Sequence, residues 1–301
     1  MERKGDLPSL HVSAESEERP DTPRPGVPFY RPARAVAMTL RVATWNVNSI
    51  RRRLDHLARF AAEQSPDLVC LQETKVDDAR FPRDAITAMG FAHILAHGQK
   101  GYNGVAIVSR HPFEATGTKA WCGRDDRRHV FARLGCGLEV HNLYVPSGGP
   151  EPDPATNEKF DHKLRFLKAM ARWARRERLA ERPALVVGDL NVAPLPSDVW
   201  NHKRLLRSVG HTPIESELLD KARRAGGFID VPRRFVPPES PLYTWWGYRF
   251  PQSLAKDYGW RLDHAWASPA LAPRVTAMTV VKATRAWDRP ADHVPVMVDL
   301  D

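Results

Sequence analysis

Short apolar runs and segments with helical spacing alternate from Leu40 to the end of the chain. Leu68–Leu71 is a continuous apolar run, which is typical of a strand that is buried on both faces of a sheet. Runs of this kind, bounded by polar or turn-forming residues, predict strands. The predicted strands are Leu40–Val47, Leu68–Leu71, Gly104–Ser109, His129–Leu134, Leu138–Val145, Ala184–Gly188, Leu262–Ala267 and Val294–Leu300.

Two segments place apolar residues at the spacing of a helix. The first covers Ile50–Ala61 and ends at Ser65-Pro66, and the second covers Phe160–Ala174. The second helix also carries a basic face, which favours a solvated surface over phosphate contact. Because strands and helices alternate around buried sheets, the pattern predicts one α/β domain.

Residues 1–37 differ from the rest of the sequence. They are rich in proline, poor in large apolar residues, and carry equal numbers of acidic and basic side chains. Such a segment cannot bury enough apolar surface to offset the entropy lost on ordering. It also lacks the apolar stretch of a secretory signal. We therefore expect a disordered, Pro-rich N-terminal tail, followed by a single domain over residues 38–301.

The net charge of the chain indicates which class of partner it binds. The chain has 45 basic and 36 acidic residues, and its net charge of +9 favours anionic partners, above all nucleic acid. No stretch approaches the roughly 18 consecutive apolar residues of a membrane-spanning helix, which excludes an integral membrane protein. The 3 cysteines have no metal-site spacing, and we expect them to be reduced thiols of a cytoplasmic protein.

Polar side chains stand at or near the ends of separate predicted strands, in the segments WNVNSI, LQETK, HNLYVP, VVGDLN, RLDHAW and ADHVPV. Each of them alone is explained by the capping of a turn. Together, their carboxylates and amides are typical of a hard-metal site with oxygen ligands, and they differ from zinc or haem ligation. The residues are Asn46, Glu73, Asn142, Tyr144, Asp189, Asn191, Asp263, Asp292 and His293.

These segments, in this order, resemble the exodeoxyribonuclease III branch of the endonuclease/exonuclease/phosphatase superfamily, which includes the abasic-site endonucleases. The resemblance runs from Leu40 to the C-terminus, and NLYVPSGG, KFDHKLRFL and TWWGYR also resemble this branch. The WTDR-type signature of inositol polyphosphate phosphatases is not seen. Two departures stand out: Ser147-Gly148-Gly149 replaces an amide side chain that often follows YVP, and Ala291 replaces a common serine.

The resemblance implies a fold and a cofactor. The fold is a four-layer α/β sandwich like that of pancreatic deoxyribonuclease, in which two mixed β-sheets pack face to face and helices flank them. The cofactor is Mg²⁺ or Mn²⁺, held by Glu73 with Asn46 beside it. The other residues implied in the metal region are Asp189, Asn191, Asp292 and His293.

The resemblance also implies catalytic roles. Asp189 orients and deprotonates the attacking water, and Asn191 positions that water or the scissile phosphate. His293 donates to a phosphate oxygen and is held by Asp263. Tyr144 binds the phosphate, or assists the leaving group as a phenolate. A supporting role falls to Asn142.

Basic and aromatic residues are the candidates for DNA contact. They are Arg127, Arg128, Lys159, Lys163, Trp245 and Trp246. Each has an alternative explanation: the arginines lie in a solvated loop, the lysines are ordinary surface charge, and the tryptophan pair belongs to the core.

The leading hypothesis is a metal-dependent repair nuclease that cleaves duplex DNA 5′ to abasic sites and trims 3′ ends. It implies a monomer that works on nucleoid DNA in a bacterial-type cytoplasm, with no membrane partner. A first alternative is a phosphodiesterase or phosphatase of the same superfamily that acts on RNA, nucleotides or phosphoinositides. A second is a non-catalytic DNA-binding protein on this scaffold.

Overall fold

Two six-stranded β-sheets form the centre of the fold. The computed structural model describes residues 39–248 and 252–301, so the predicted N-terminal tail lies outside the described residues. The strands are β1 Leu40–Asn46, β2 Leu68–Gln72, β3 His93–His97, β4 Val105–Ser109, β5 Phe113–Thr118, β6 His129–Leu134, β7 Glu139–Tyr144, β8 Ala184–Asp189, β9 Ile229–Asp230, β10 Asp263–Ala267, β11 Val275–Val280 and β12 Val296–Leu300.

Helices cover the outer faces of the sheets. They are α1 Leu54–Gln64, α2 Arg83–Ala88, α3 Glu158–Arg176, α4 His202–Leu205, α5 Pro213–Ala225 and α6 Val231–Phe235. The first predicted helix is divided, because a 3₁₀ turn over Ile50–Arg52 precedes α1. Ser65 ends α1 in the left-handed conformation, with φ +48°. Within the described residues, no helix combines the length and apolar character needed to cross a membrane.

Both sheets are mixed. The first has the strand order β11-β12-β1-β2-β4-β3 and the second has the order β5-β6-β7-β8-β10-β9. The pairs β1–β2 and β7–β8 are parallel, whereas the other pairs are antiparallel.

The main hydrophobic core lies between the two sheets. Leu68 and Ile107 of the first sheet belong to the same buried cluster as Val140 and Leu185 of the second. A second cluster packs α3 and α5 against the outer face of the second sheet, and a third packs α1 and α2 against the first. These layers confirm the four-layer sandwich predicted for the chain.

Four strands were not predicted from the sequence pattern, because their apolar runs are weak. They are β3, β5, β9 and β11, and each lies at the edge of its sheet. In β5, half-buried and exposed residues alternate, because only one face of an edge strand packs against the core.

Strand register brings distant polar residues together. The parallel pair β1–β2 sets Asn46 beside Gln72, the residue before Glu73. The parallel pair β7–β8 sets Tyr144 beside Asp189, and the antiparallel strand β10 sets Asp263 opposite Asp189. The ends of strands from both sheets therefore meet at one edge of the sandwich.

Candidate active site

A cavity of about 520 Å³ lies elsewhere on the molecule, but the chemically richer one, of about 470 Å³, lies where these strand ends meet. Its polar lining contains most of the residues predicted from the sequence, and its apolar lining forms one wall. The polar residues include Glu73, Tyr144, Asp189, Asn191, Asp292 and His293. The apolar wall contains Val209, Gly210, Trp245, Trp260 and Leu262.

Asn46 connects two acids across the two sheets. Its Nδ2 donates to Glu73 Oε1 and to Asp189 Oδ2, at 2.9 Å each. Its Oδ1 accepts from the backbone N–H of Asn48 at 3.0 Å. The amide therefore holds both carboxylates at the floor of the cavity.

Glu73 occupies a strained position directly after β2. Its φ is +52°, in the left-handed region, where a residue with a side chain costs about 1–2 kcal/mol. Lys75 Nζ lies 2.6 Å from its Oε2, and Tyr144 Oη donates to its Oε1 at 2.9 Å. Burial alone would raise the pKa of Glu73, but Lys75 and Asn46 outweigh burial and lower it. The carboxylate is therefore ionised and ready to accept a cation.

Asp189, Asp263 and His293 form a buried cluster. His293 Nδ1 lies 2.8 Å from Asp263 Oδ2, and its Nε2 lies 3.7 Å from Asp189 Oδ2. Burial would lower the pKa of His293, but the carboxylates of Asp263 and Asp189 outweigh burial and raise it to about 10. These carboxylates favour the imidazolium form of His293, whose Nδ1 bonds to Asp263 and whose Nε2 lies within ion-pair distance of Asp189.

Asp189 has the most unusual acidity in the site. Burial raises its pKa to about 7, Asp263 and Glu73 act in the same direction, and His293 opposes them. Its Oδ1 accepts from the backbone N–H of Asn191 at 2.9 Å, so the carboxylate has a fixed orientation. A carboxylate with a pKa near neutrality is suited to general-base catalysis.

Asn191 is held by the backbone around it. Its φ is +54°, and its Nδ2 donates to the carbonyl of Val145 at 2.9 Å. This bond joins the loop after β8 to the end of β7.

Tyr144 and Asn142 both belong to β7, and both are buried. Burial raises the pKa of Tyr144 well above its usual value, and Glu73 and Asp189 add to the effect. This environment disfavours the phenolate, so the phenol acts as a donor. Asn142 is fully buried, and its Nδ2 donates to the carbonyls of Leu71 and Ala106, at 2.9 Å each. It therefore lies behind the cavity and links the two sheets.

Asp292 also lines the cavity. Its two oxygens accept from Asn48 Nδ2 at 3.1 Å and from Trp245 Nε1 at 3.0 Å. Lys75 Nζ donates to Asn48 Oδ1 at 2.6 Å, so Asn48 connects Asp292 to the Glu73 side.

The donor set fits a hard cation. Single ligand atoms of Asp189, Asp263 and His293 all lie within 4.8 Å of one another. His293 presents Nε2 to this group, since its Nδ1 is engaged by Asp263 at 2.8 Å. Asn46 turns its Nδ2 toward Glu73 and Asp189, so the predicted metal roles of Asn46 and His293 stay predictions. The carboxylate oxygens of Glu73 and Asp189 suit a cation that keeps several waters.

Two of the residues predicted to contact DNA are buried inside the protein, whereas Trp245 lines the cavity. Lys163 is 0 % exposed and forms an ion pair with Glu215, so its predicted phosphate contact is wrong. Trp246 is 1 % exposed and donates from Nε1 to Asp257 at 3.0 Å, so its predicted contact is also wrong. Both side chains are inaccessible because the fold encloses them. Trp245 lines the cavity, as predicted for a sugar contact.

The remaining candidates lie outside the lining of the cavity. Arg128 places its guanidinium 4.7 Å from the ring centre of Tyr144, and Arg127 pairs with Asp125 at 3.0 Å. Lys159 is exposed in the first turn of α3.

Sequence reasoning missed other members of the site. Asn48 and Lys75 each lie two residues after a predicted ligand, so the same motifs contained the signal for them. Trp260 and Leu262 are two residues apart and precede Asp263, but they resemble core positions.

Comparison with known proteins agrees with the geometry. A family model described as Endonuclease/Exonuclease/phosphatase family matches residues 43–293. Exodeoxyribonuclease III of Haemophilus influenzae is 28% identical over 270 residues, which cover 86% of this chain and 99% of the relative.

Two solved structures extend this comparison. An AP endonuclease from Archaeoglobus fulgidus is 33% identical with a TM-score of 0.80, over 87% of this chain and 99% of that one. The 3′ phosphatase NExo from Neisseria, bound to a product DNA hairpin, is 32% identical with a TM-score of 0.80, over 87% and 99% of the two chains. These findings confirm the resemblance inferred from the motifs.

Proposed function

This chain belongs to the endonuclease/exonuclease/phosphatase family, and on that premise we propose that it is a metal-dependent DNA repair nuclease. It incises duplex DNA 5′ to abasic sites and removes nucleotides or blocking groups from 3′ ends. One observation carries the proposal: a near-neutral carboxylate, an imidazolium and a set of oxygen ligands share one cavity with an apolar wall.

The reaction requires several groups at once. Enzymes lower the barriers of slow hydrolyses by ~23 kcal/mol or more, whereas one acid or base contributes roughly 10²–10⁴-fold. A base, donors to the phosphate and a cation must therefore act together. This requirement explains why the site gathers residues from strands of both sheets.

The family is metal-dependent, and we assign Mg²⁺, or Mn²⁺ in its place, to this chain. Glu73 and Asn46 would hold the cation, with Asp189, Asn191 and Asp292 facing the same region. When bound, the cation offsets the negative charge of the phosphate and of the leaving oxygen.

Asp189 acts as the general base. It takes a proton from water while the water oxygen forms a bond to phosphorus and the bond from phosphorus to the 3′ oxygen breaks. Asn191 supports this step because its backbone N–H fixes one carboxylate oxygen of Asp189, at 2.9 Å. The leaving 3′ oxygen takes up a proton from solvent, so the products are a 3′ hydroxyl and a 5′ phosphate, and Asp189 later releases its proton to solvent.

His293 and Tyr144 stabilise the phosphate in the transition state. The Nε2–H of the imidazolium donates to a non-bridging oxygen, and Asp263 keeps the ring charged and oriented through Nδ1 at 2.8 Å. The phenol of Tyr144 donates from the other side. Asn142 keeps the strand below Tyr144 in place.

The apolar wall selects the substrate. Trp245, Trp260 and Leu262 form a surface suited to a deoxyribose without its base. Gly210 keeps the space open, since its φ is +96° and a Cβ there would lie 3.2 Å from the Trp260 ring. A nucleotide that keeps its base enters this space less readily because of its size, which favours abasic sites over undamaged nucleotides.

Charge and site composition define the partner. The net charge of +9 favours duplex DNA, with Arg127, Arg128 and Lys159 as contacts at the margin of the cavity. Every proposed catalytic group comes from one chain, so a monomer can carry out the reaction. We propose nucleoid DNA in a bacterial-type cytoplasm as its place of action, which agrees with a DNA substrate.

The test is cleavage of a labelled duplex that carries one synthetic abasic site, beside an undamaged duplex, with Mg²⁺ and with EDTA. We expect Mg²⁺-dependent incision at the lesion and slower 3′ shortening of the control. The variant Gly210→Asn should reduce incision more than 3′ shortening, because its side chain enters the sugar space. Cleavage of RNA or small phosphate esters alone, or DNA binding without any cleavage, would replace this proposal by one of the alternatives.

A further inference from the structure

Lys163 lies inside the protein, directly beneath the active-site loops. Its side chain is 0 % exposed, as is that of its ion-pair partner Glu215. Its Nζ donates to the carbonyl of Asn191 at 2.7 Å and to the carbonyl of Ser147 at 3.2 Å. The three ammonium protons therefore all have acceptors within the protein.

These acceptors belong to separate loops that line the cavity. Ser147 follows β7 and Tyr144, whereas Asn191 follows β8 and Asp189. Gly148, directly after Ser147, has a φ of +92°, and a Cβ there would lie 2.9 Å from Lys163 Cδ. The loop after β7 thus rests on the aliphatic part of this lysine.

Glu215 extends the connection to a third loop. Both of its carboxylate oxygens accept from the backbone N–H of Gly210, at 2.9 Å each. It also accepts from the backbone N–H of Thr212 at 3.2 Å, at the start of α5. One buried ion pair therefore joins the loops that follow Tyr144 and Asp189 to the loop that carries Gly210.

Stability alone is a poor explanation for this pair. Charges taken out of water lose hydration, and the replacement of a buried ion pair by uncharged residues is often neutral or stabilising. Few groups other than an ammonium, however, donate to two carbonyls and a carboxylate at once. The arrangement is more useful as a clamp than as a source of folding energy.

We propose that Lys163 is a positioning residue, which through Glu215 clamps the three loops so that the base, the phosphate donor and the sugar space keep their relative geometry. This inference rests on the proposed function, whose site the clamp supports. A misplacement of about 1 Å costs roughly 10²-fold in rate, and that loss appears in kcat rather than in binding.

The test compares Lys163→Met, the double variant Lys163→Met/Glu215→Gln and the matched control Lys168→Met. Lys168 is exposed on the same helix, so its change removes a charge but no clamp. The double variant leaves no uncompensated buried charge. For each protein, kcat and KM are measured per folded molecule, with DNA affinity in EDTA and the thermal midpoint.

We expect kcat to fall roughly 10- to 100-fold in both Lys163 variants, while KM and DNA affinity change less than about threefold. The double variant should keep a thermal midpoint near that of the wild type. A wild-type kcat per folded molecule in the double variant would overturn the proposal, as would a loss seen only in KM.

The substrates are the abasic duplex and bis(p-nitrophenyl) phosphate. Wild-type hydrolysis of the small diester without incision of the abasic duplex would contradict the proposed function. The positioning role of Lys163 would still be tested by its effect on hydrolysis of the diester. The positions of the base and the phosphate donor affect the cleavage of both substrates.

Discussion

Arg261 and Asp263 are two residues apart, yet they belong to different buried charge clusters. The charges around Arg261 are matched, whereas the cluster around Asp263 has an excess of acidic groups. Arg261 Nε lies 2.7 Å from Asp198 Oδ1, and its Nη1 lies 2.9 Å from Asp230 Oδ2. Burial alone would raise the pKa of Asp198, but Arg261 and Arg233 outweigh burial and lower it. In this cluster each charge has its counter-charge.

The cluster around Asp263 has an excess of acid. Asp189, Asp263 and Glu73 share the imidazolium of His293 and the ammonium of Lys75, and the pKa of Asp189 rises to about 7. A cluster with matched charges is costly to break, because the loss of one partner leaves an uncompensated buried charge, whereas unmatched acids beside a cavity are held ready for a cation, a proton or a substrate. The two aspartates of β8 and its following loop, Asp189 and Asp198, allow a direct comparison.

The largest effect is expected for Asp189→Asn. It removes the base, and kcat should fall roughly 10²–10⁴-fold on the abasic duplex. Thermal stability should stay equal or rise, because one member of a group of like charges is lost. Measurements of single-turnover rate, of DNA affinity in EDTA and of the thermal midpoint check this, and normal cleavage by the variant would show that another residue is the base.

The matched change Asp198→Asn should have the opposite profile. It leaves Arg261 and Arg233 with less compensation inside the protein, and it should cost about 3–5 kcal/mol in the free energy of unfolding. Catalysis per folded molecule should remain near the wild-type rate. Urea unfolding monitored by tryptophan fluorescence gives the first quantity. A stable but inactive variant would place Asp198 in the catalytic site instead.

A smaller effect, a change in kcat of about tenfold per pH unit below the pKa of Asp189, is expected when the pH is varied. Asp189 must be deprotonated to act, so kcat rises with pH up to a midpoint near 7 and then levels off. Bound Mg²⁺ adds positive charge and moves this midpoint to lower pH. His293 stays protonated until about pH 10, so the rate should not fall between neutrality and about pH 9. A decline that begins near pH 6.5 would mean that His293 is an ordinary neutral imidazole.

The central strands were predictable because burial on both faces produces an apolar run, as in Leu68–Leu71. The edge strands β3, β5, β9 and β11 were not, since most of their residues are half-buried or exposed and their apolar runs are short or broken. The same contrast holds for the helices: α3 has a long apolar face, whereas α4 and α6 are single turns fixed by tertiary contacts.

The acids, amides and histidine of the site were predictable because polar residues directly after buried strands need partners. Lys163 was not, since nothing in a basic helix distinguishes the lysine that a later loop and Glu215 will enclose from its exposed neighbours. For a similar reason Trp246 is buried although it was predicted to contact DNA, whereas Trp260, for which no role was predicted, lines the cavity. Which tryptophan reaches the cavity depends on the pairing of Trp245 with Trp260, a contact between separate segments.

The most direct test is the Mg²⁺ concentration that gives half-maximal incision of the abasic duplex. It is measured for the wild type, Glu73→Gln and Glu139→Gln; Glu139 is also a buried glutamate, but it bonds to His141 at 2.8 Å outside the site. We predict no incision by the wild type in EDTA, a requirement raised at least about tenfold in Glu73→Gln, and no change in Glu139→Gln. Incision in EDTA, or equal requirements in the wild type and Glu73→Gln, would contradict the assignment of the cation to the acid-rich cluster.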